Sequence, residues 1–404
     1  MDSMRRVRLG DVALVEISGV DKKTTDGEKL VRLCNFTDVY KNWAITAPMY
    51  DTFMVASAND KEISRFSLRR GQVAITKDSE TRDDIGIPTY IADNFEEVLL
   101  GYHCALITPD ETILDGKYLN AFLHTEFIQK FFSANASGSG QRYTLSVDTL
   151  NEIPIYLPSL EEQKRIGEVF SNIDRKIEIN RQINDYLEAM ARQLYDYWFV
   201  QFDFPDEQGK PYKSSGGKMV WNERLKREIP EGWECATLQD FLTIKNGRDH
   251  KALHEGLFPV YGSGGLMRYV DSYLYNGESV LFPRKGSLNH IMYVNEAFWT
   301  VDTMFFTELK IPQAAKYIFY SVNGIDFTGL DSGTGVPSMT STTLYSIKVI
   351  KPTQDLLQLF DERIQPWFHA IESNRRAIEE SKKLRDELLP LLMNGQVSVR
   401  QAAK

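Results

Sequence analysis

The stretch "PSLEEQKRIGEVFSNIDRKIEINRQINDYLEAMARQLYDYWF", Pro158 to Phe199, constrains the chain more than any other. Ser159 and Glu162 form an S-x-x-E capping box, and Pro158 bars helix upstream. Apolar or special residues then fall at Ile166, Phe170, Ile173, Ile177, Asn180, Asn184, Leu187, Ala191, Leu194 and Trp198, in steps that alternate four and three. That spacing is a coiled-coil seam rather than a broad globular face. About forty residues at ~1.5 Å each make a rod of roughly 60 Å. Such a rod cannot keep its seam dry alone, so it needs a partner helix.

The chain supplies one by repeating itself. Leu150, Ile153, Ile155 and Pro158 of "LNEIPIYLP" match Leu344, Ile347, Val349 and Pro352 of "LYSIKVIKP", each pair 194 positions apart. The same offset carries Ile166, Phe170, Ile173, Ile177 and Asn180 onto Phe360, Ile364, Trp367, Ile371 and Asn374, and Leu194 onto Leu388. A second long helix is therefore expected from Thr353 to about Met393, stopped at Asn394-Gly395. Pro366 stands where the first copy has Asn172, and a kink or short break is expected there. Asn180 and Asn374, matched on the seam, are candidates for a polar contact that fixes register.

Segments ahead of the helices repeat more loosely. "KYLNAFL" from Lys117 resembles "KYIFYSV" from Lys316, "SGSGQRYTLS" from Ser137 resembles "SGTGVPSMTS" from Ser332, and "LRRGQVAIT" resembles "LYNGESVLF" with Gly71 against Gly277. Short β-branched and aromatic runs alternate with Gly turns in both halves, which reads as α+β with small twisted antiparallel sheets. The resulting plan is a globular unit over 1–157, a long helix over 158–200, a Gly-, Pro- and Ser-rich linker over 201–232, a second globular unit over 233–352 opened by "IPEGW", and a long helix over 353–404. The first unit has 149 positions between Leu9 and Pro158 and the second 114 between Leu238 and Pro352, so their loops differ.

Composition narrows the classes. With 42% hydrophobic and 25% charged residues the chain is ordinary for a globular protein. It has no run of eighteen apolar residues, and "MDSMRRVRLGDVALV" lacks a signal-peptide core, so a cytoplasmic protein is expected. Cys34, Cys104 and Cys235 are odd in number and far apart, which suggests neither disulfides nor a zinc site. A net charge of −9 argues against a wholesale nucleic-acid binder but leaves local basic patches open.

With "IPEGWE", "FPVYGSGGL", "GESVLFPRKGS", "FWTVDTMFF", the P-x-L-E-E-Q helix start and "LYDYWFVQFDFP" in this order on a duplicated plan, the chain resembles the specificity subunits of Type I restriction-modification systems over nearly its whole length. The resemblance implies two target-recognition domains, each reading one half of a bipartite double-stranded DNA target. It also implies two long antiparallel helices that separate them and bind two methyltransferase subunits. Restriction (translocase/endonuclease) subunits would join through the complex. S-adenosylmethionine would belong to the methyltransferase, and ATP and Mg to the restriction partner, with no cofactor and no catalysis in this chain. A duplicated module on a rigid spacer suits two unlike half-sites independently of the resemblance.

DNA readout needs Arg, Lys, Asn and Gln donors beside small residues that let backbone approach phosphate. The first unit offers Arg65, Arg69, Arg70, Lys77, Gln141, Arg142 and Tyr143. The second offers Lys245, Asn246, Arg248, Tyr261, Ser263, Gly264, Arg284, Lys285, Ser287 and Asn289. Arg284, Lys285 and Arg142 rank first, because each stands near glycines in an otherwise apolar framework. Any one of these residues taken alone reads equally well as a solvated turn.

Enzyme motifs fail. "SSGGKMV" lacks the first Gly and the hydroxyl of a phosphate loop, and no Asn-Pro-Pro-aromatic run is present. His250 and His254 have i,i+4 spacing without further ligands, so no metal site is expected. Asp110, Asp115 and Lys117 mimic a compressed nuclease site, but a turn at Pro109-Asp110 and a helix cap at Asp115 explain them better, and Asp115 becomes Ala314 in the repeat. A DNA-cleaving nuclease and a scaffold without DNA binding are the alternatives to sequence-specific recognition.

The seam makes one strong prediction. A heptad inserted near Asn180 and another near Asn374 preserve the seam and lengthen the rod by about 10.5 Å. That is roughly three base pairs, or about 100° of duplex rotation. Affinity across duplexes differing only in spacer length should shift to a longer spacer with weaker binding, or specific binding should be lost. An unchanged spacer preference at full affinity would show that the helices do not set the distance.

Overall fold

The computed structural model describes residues 5–330 and 338–399. They form two compact units, one of residues up to Gln182 plus those from Asn374 onward, the other Ile183–Ser373. No helix among the described residues is long and apolar enough to cross a membrane. The class is mixed α+β, with small sheets and two long helices, Leu160–Tyr195 and Gln354–Met393.

In the first unit a five-stranded sheet runs Ala13–Ile17, Cys104–Pro109, Val73–Thr76, Pro88–Ile91, Ala44–Ile45 in spatial order. Its pairings are antiparallel except the last. A smaller sheet packs Met54–Ala58, Lys29–Cys34 and Val98–Leu100 together. The second unit has one six-stranded sheet, ordered Leu242–Asn246, Met304–Leu309, Tyr275–Pro283, Met292–Thr300, Phe258–Gly262, Gly265–Val270. Again a single pairing, Phe258–Gly262 with Met292–Thr300, is parallel. The sheets are thus mainly antiparallel as expected, with one parallel pairing in each, that of the smaller sheet joining Lys29–Cys34 to Val98–Leu100.

Each unit is closed in the same manner. Arg5–Arg8 pairs with Pro154–Leu157, and Glu234–Thr237 pairs with Lys348–Lys351, so an early strand of each unit ties down the strand that feeds its long helix. The Leu9 amide then donates to Ile153 O at 2.9 Å and the Leu238 amide to Ile347 O at 3.0 Å. A buried tyrosine completes the joint in both units. Tyr118 Oη donates to Tyr156 O at 2.5 Å, and Tyr317 Oη donates to Ile350 O. Burial raises the pKa of both phenols, so neither ionises and each stays a donor.

The long helices lay their seams against these frames. Ile166, Phe170, Leu389, Leu392 and Met393 share one core cluster with Tyr118 and Phe122 in the first unit. In the second, Tyr195, Trp198 and Phe199 pack with Tyr317, Phe360 and Ile364. Within that unit the helices run antiparallel: Asn184 Nδ2 donates to Ile371 O at 3.4 Å, and the Tyr195 ring lies 6.3 Å from Phe360. Ile177 and Ile371 are buried as well, while Ile173, Leu194, Trp367 and Leu388 are half-buried. Asn180 and Asn374 are also half-buried, and the deeply buried seam asparagine is Asn184.

Helix boundaries follow local chemistry. Ser159 Oγ accepts from the Glu162 amide, but the Glu162 carboxylate turns to Arg165, so only half of the expected capping box forms. A π turn, Asp196–Val200, ends the first helix. The second runs unbroken through Pro366, contrary to the expected break. Pro366 and Glu362, whose carbonyl loses its donor, are both exposed, so water can satisfy that carbonyl. Gly395, at φ 66°, stops the helix with the Gln396 amide donating back to Leu391 O.

The segment 201–232 is folded onto the second unit rather than strung loosely. Phe202 and Phe204 are buried beside Trp233, Tyr212 stacks on Phe204 at 4.7 Å, and Met219–Asn222 pairs with Arg227–Pro230. Its Gly, Pro and Ser content hid three aromatic anchors.

Lys316 is wholly buried, with Glu278 and Asp361 oxygens each 2.7 Å from Nζ and the Tyr293 ring 5.2 Å away. It joins the sheet, the helix Ala315–Val322 and the second long helix. Lys316→Met leaves two carboxylates facing each other without a cation and should cost about 3–5 kcal/mol in urea unfolding. A cost under ~1 kcal/mol would put the triad in the class of surface pairs.

Candidate nucleic-acid interface

The strand registers superpose the two units residue by residue. Ile75 and Thr76 pair with Ala105 and Cys104, as Phe282 and Pro283 pair with Phe305 and Met304. The next residue is then Lys77 in one unit and Arg284 in the other. The Lys77 amide donates to His103 O at 2.9 Å, and the Arg284 amide donates to Thr303 O at 2.8 Å. Their carbonyls accept from Leu145 and Met339 at 2.8 and 2.9 Å. Lys77 and Arg284 therefore occupy one position of the fold. The Gly71–Gly277 alignment is one residue out of this register, and Gly277 lies within a strand opposite Glu296 rather than in a turn.

In the second unit the fold gathers three candidate loops. Gly286, at φ 88°, stands against Ser263, where a Cβ would come within 2.9 Å of Oγ. His290 Nδ1 donates to Ser263 O at 2.9 Å. Gly247 approaches Val301 O so closely that any side chain would clash, and the Arg248 amide donates to Thr300 O. A cleft lined by Asp249, His250, Lys251, Ser263, Gly264 and Thr303 opens between the loops. Arg248, Gly264, Arg284, Lys285 and Ser287 are exposed around it. Lys285 bridges to Ser338, so the segment whose sequence repeats that from Ser137 joins the group, although its 332–337 portion lies outside the described residues.

Other candidates in this unit have structural duties. Asn289 Nδ2 donates to Asp326 and its Oδ1 accepts from the Phe327 amide. Tyr261 Oη donates to Glu296 at 2.7 Å, and Lys245 pairs with Glu308 at 3.5 Å. Asn246 is exposed at the end of its strand.

In the first unit the candidates fall into two groups at opposite ends of Val73–Thr76, roughly 13 Å apart at ~3.3 Å per residue. Arg69 and Arg70 are exposed before it, where their amides donate to Gln72 and Asn94 side chains. Arg65 is tied to Glu16 Oε1 at 2.7 and 2.9 Å. Beyond the strand, Lys77 meets the hairpin Ser137–Ser139 with Arg142–Thr144, which brings Gln141, Arg142 and Tyr143 alongside. Tyr143 carries the Arg82 guanidinium 5.0 Å from its ring centroid.

Asp78 organises this group, and the sequence reading had missed it. Its Oδ2 lies 2.7 Å from Lys77 Nζ, 2.6 Å from His103 Nδ1 and 3.0 Å from Arg142 Nη2. Burial by itself would raise the Asp78 pKa. The hydrogen bonds from Lys77, His103, Thr144 and Arg142 outweigh it and hold the carboxyl well below the usual range. Nothing local marks the residue, because its partners lie up to 64 positions away.

The nuclease mimic is accounted for by structure. Asp115 Oδ1 caps Gly116–Leu123 by accepting from the Tyr118 amide, Asp110 accepts from Thr112, and Lys117 pairs with Glu168. No group of three or more His, Cys, Asp or Glu suited to a metal ion occurs among the described residues.

The model for the Type I restriction modification DNA specificity domain matches residues 2–189 and again 230–381. The chain belongs to that family. The MjaIX specificity subunit of Methanocaldococcus jannaschii is 26% identical over 381 residues, covering 85% of this chain and 82% of its own. The HindI specificity subunit of Haemophilus influenzae is 20% identical over 400 residues, covering 79% and 85%. The fold matches that of the S subunit of a Type I restriction-modification system from M. genitalium, with a TM-score of 0.61 at 16% identity over 97% of each chain. This chain is thus a Type I specificity subunit, a class whose work is DNA target recognition.

A depressed Asp78 pKa has a definite sign. The carboxylate stabilises the specificity subunit above its unfolded value near ~4, and that stability is lost as pH falls through the lower folded value. Asp78→Asn should therefore lower stability by about 2 kcal/mol from pH 5 to 8, with the gap to the parent closing only below about pH 4. A gap that grew with acidification would contradict the network.

Proposed function

We propose that this specificity subunit reads a bipartite double-stranded DNA target, one half-site per unit, while its helices carry two methyltransferase subunits through which restriction subunits join. The observation behind the reading is the common position of Lys77 and Arg284, each at the end of the same strand with different loops around it. One frame with two loop sets suits two unlike targets. It also explains why −9 of net charge is no obstacle, since exposed cations are focused at strand ends.

Partner docking has its own support. Ile183, Tyr186 and Met190 are exposed on the first long helix at spacings of three and four, and Tyr197 follows seven residues on in the π turn that ends it. An apolar stripe at helical period on the outside of an already paired helix is an interaction surface. Recognition without catalysis in this chain fits the engagement of Asp110, Asp115 and Lys117 in structural contacts.

The test combines stoichiometry with the methylation motif of cells carrying the whole system. Native mass measurement should give two methyltransferase subunits per chain, and a stable one-to-one particle counts against the assembly. Arg284→Ala should relax the motif, or weaken binding by ~1–3 kcal/mol, at one half-site only. Equal motifs and equal affinity for mutant and parent would sink its assignment.

A further inference from the structure

Three donors converge on Asp78 Oδ2, an oxygen with two lone pairs. Lys77 Nζ and His103 Nδ1, at 2.7 and 2.6 Å, are the nearer two. Their side chains are 16% and 24% exposed, and the carboxylate is 8% exposed, so these three groups form the inner part of the network. Arg142 is different. Its Nη2 is the farthest, at 3.0 Å, its side chain is 59% exposed, and it lies at the turn end of a short hairpin. Nη2 also comes 2.5 Å from His103 Nδ1, which cannot both donate to Asp78 and accept from Arg142. The guanidinium is therefore aimed by the network but not retained by it. Moving it onto an outside acceptor leaves Asp78 with its two closer donors.

We propose that Arg142 reads a guanine in the first half-site, with Asp78 as the residue that positions it. This rests on the bipartite-recognition reading above. A guanidinium fork matches the O6 and N7 acceptors of guanine in the major groove, where a narrow hairpin can enter. Phosphate asks for charge and little direction, and Lys77 beside it meets that need. A carboxylate-buttressed arginine supplies direction, which readout of a base edge requires. Gln141, exposed at the same turn, adds a second side chain of the base-reading kind.

The second unit does not repeat the device. Thr144 pairs with Asp78, and at the matching place Ser338 bridges Lys285, so lysine stands where the carboxylate was. Thr303 stands in place of His103. A change at Arg142 should thus be felt at one half-site alone.

The experiment is selection from duplex libraries randomised across the target, using the full-length chain in complex with its methyltransferase subunits. The parent should require guanine at a position of the first half-site. Arg142→Ala and Arg142→Lys should both lose that preference, weakening the cognate duplex roughly 5- to 150-fold. The second half-site and the salt dependence should stay as in the parent. Asp78→Asn should blunt the same preference, and the exposed Arg142 variants keep the test independent of any loss of folding in Asp78→Asn. Uniform weakening across all sequences with a salt slope reduced by about one, and full rescue by lysine, would make Arg142 a phosphate contact and overturn the proposal. So would a first half-site without a required guanine, or variants with the parent's selectivity. A parent complex that selects no duplex would overturn the bipartite reading itself.

Discussion

A long helix with a narrow apolar seam is stable only while something dry lies against that seam, and everything else in this molecule follows from meeting that need twice. Isolated helices gain little from propensity in water, so tertiary packing has to supply their stability. Here the seam residues are absorbed into the cores of the globular units: Ile166 and Phe170 in one, Phe360 and Ile364 in the other. The strand that precedes each helix is fixed by an early strand of its own unit and by a buried tyrosine hydroxyl. Helix and sheet are consequently one structural body within each unit, and the helix direction is set by the sheet that feeds it.

That arrangement separates what must stay from what can change. The amide of Lys77 or Arg284, the carbonyl that receives it and the carbonyl–amide contact to Leu145 or Met339 are backbone features, indifferent to side chain. The residues displayed there are free to differ: Lys77, Asp78 and His103 in one unit, Arg284, Lys285 and Thr303 in the other. A recognition surface built on strand ends keeps the precision of the sheet while its chemistry is rewritten in loops.

The seam was legible in the sequence because Ile166, Phe170, Ile173 and Ile177 recur at Phe360, Ile364, Trp367 and Ile371 with no gap between copies. The cap at Asp115 and the stop at Asn394-Gly395 were legible because caps are local chemistry. Pro366 misled because a lost hydrogen bond matters only where water cannot replace it, and exposure there could not be read from the residue itself. Segment 201–232 misled through its composition, since three aromatic anchors outweigh nine Gly, Pro and Ser residues once Trp233 lies beside them. The likeness of Lys77 and Arg284 was hidden because a strand of four residues answers one of nine, so that no string alignment finds the register. Asp78 was invisible for a plainer reason: its meaning depends on His103 and Arg142, which only folding brings near.

Under the proposed reading, the exchange of Asp78 for Lys285 changes how each unit would hold an acidic polymer. A buried carboxylate held by Lys77, His103 and Arg142 lowers the local field and substitutes orientation for attraction, because a cation it holds is less available to phosphate but better defined in space. A lysine at the same place adds to Arg284 and raises the field without fixing anything. Direction is then left to the loop backbone around Gly286 and Ser263. Attraction steers a duplex to a surface regardless of sequence, whereas orientation discriminates among sequences once it has arrived. On the proposed reading, with one unit richer in orientation and the other in attraction, the chain would carry both requirements of sequence-specific binding at a net charge that would otherwise repel DNA.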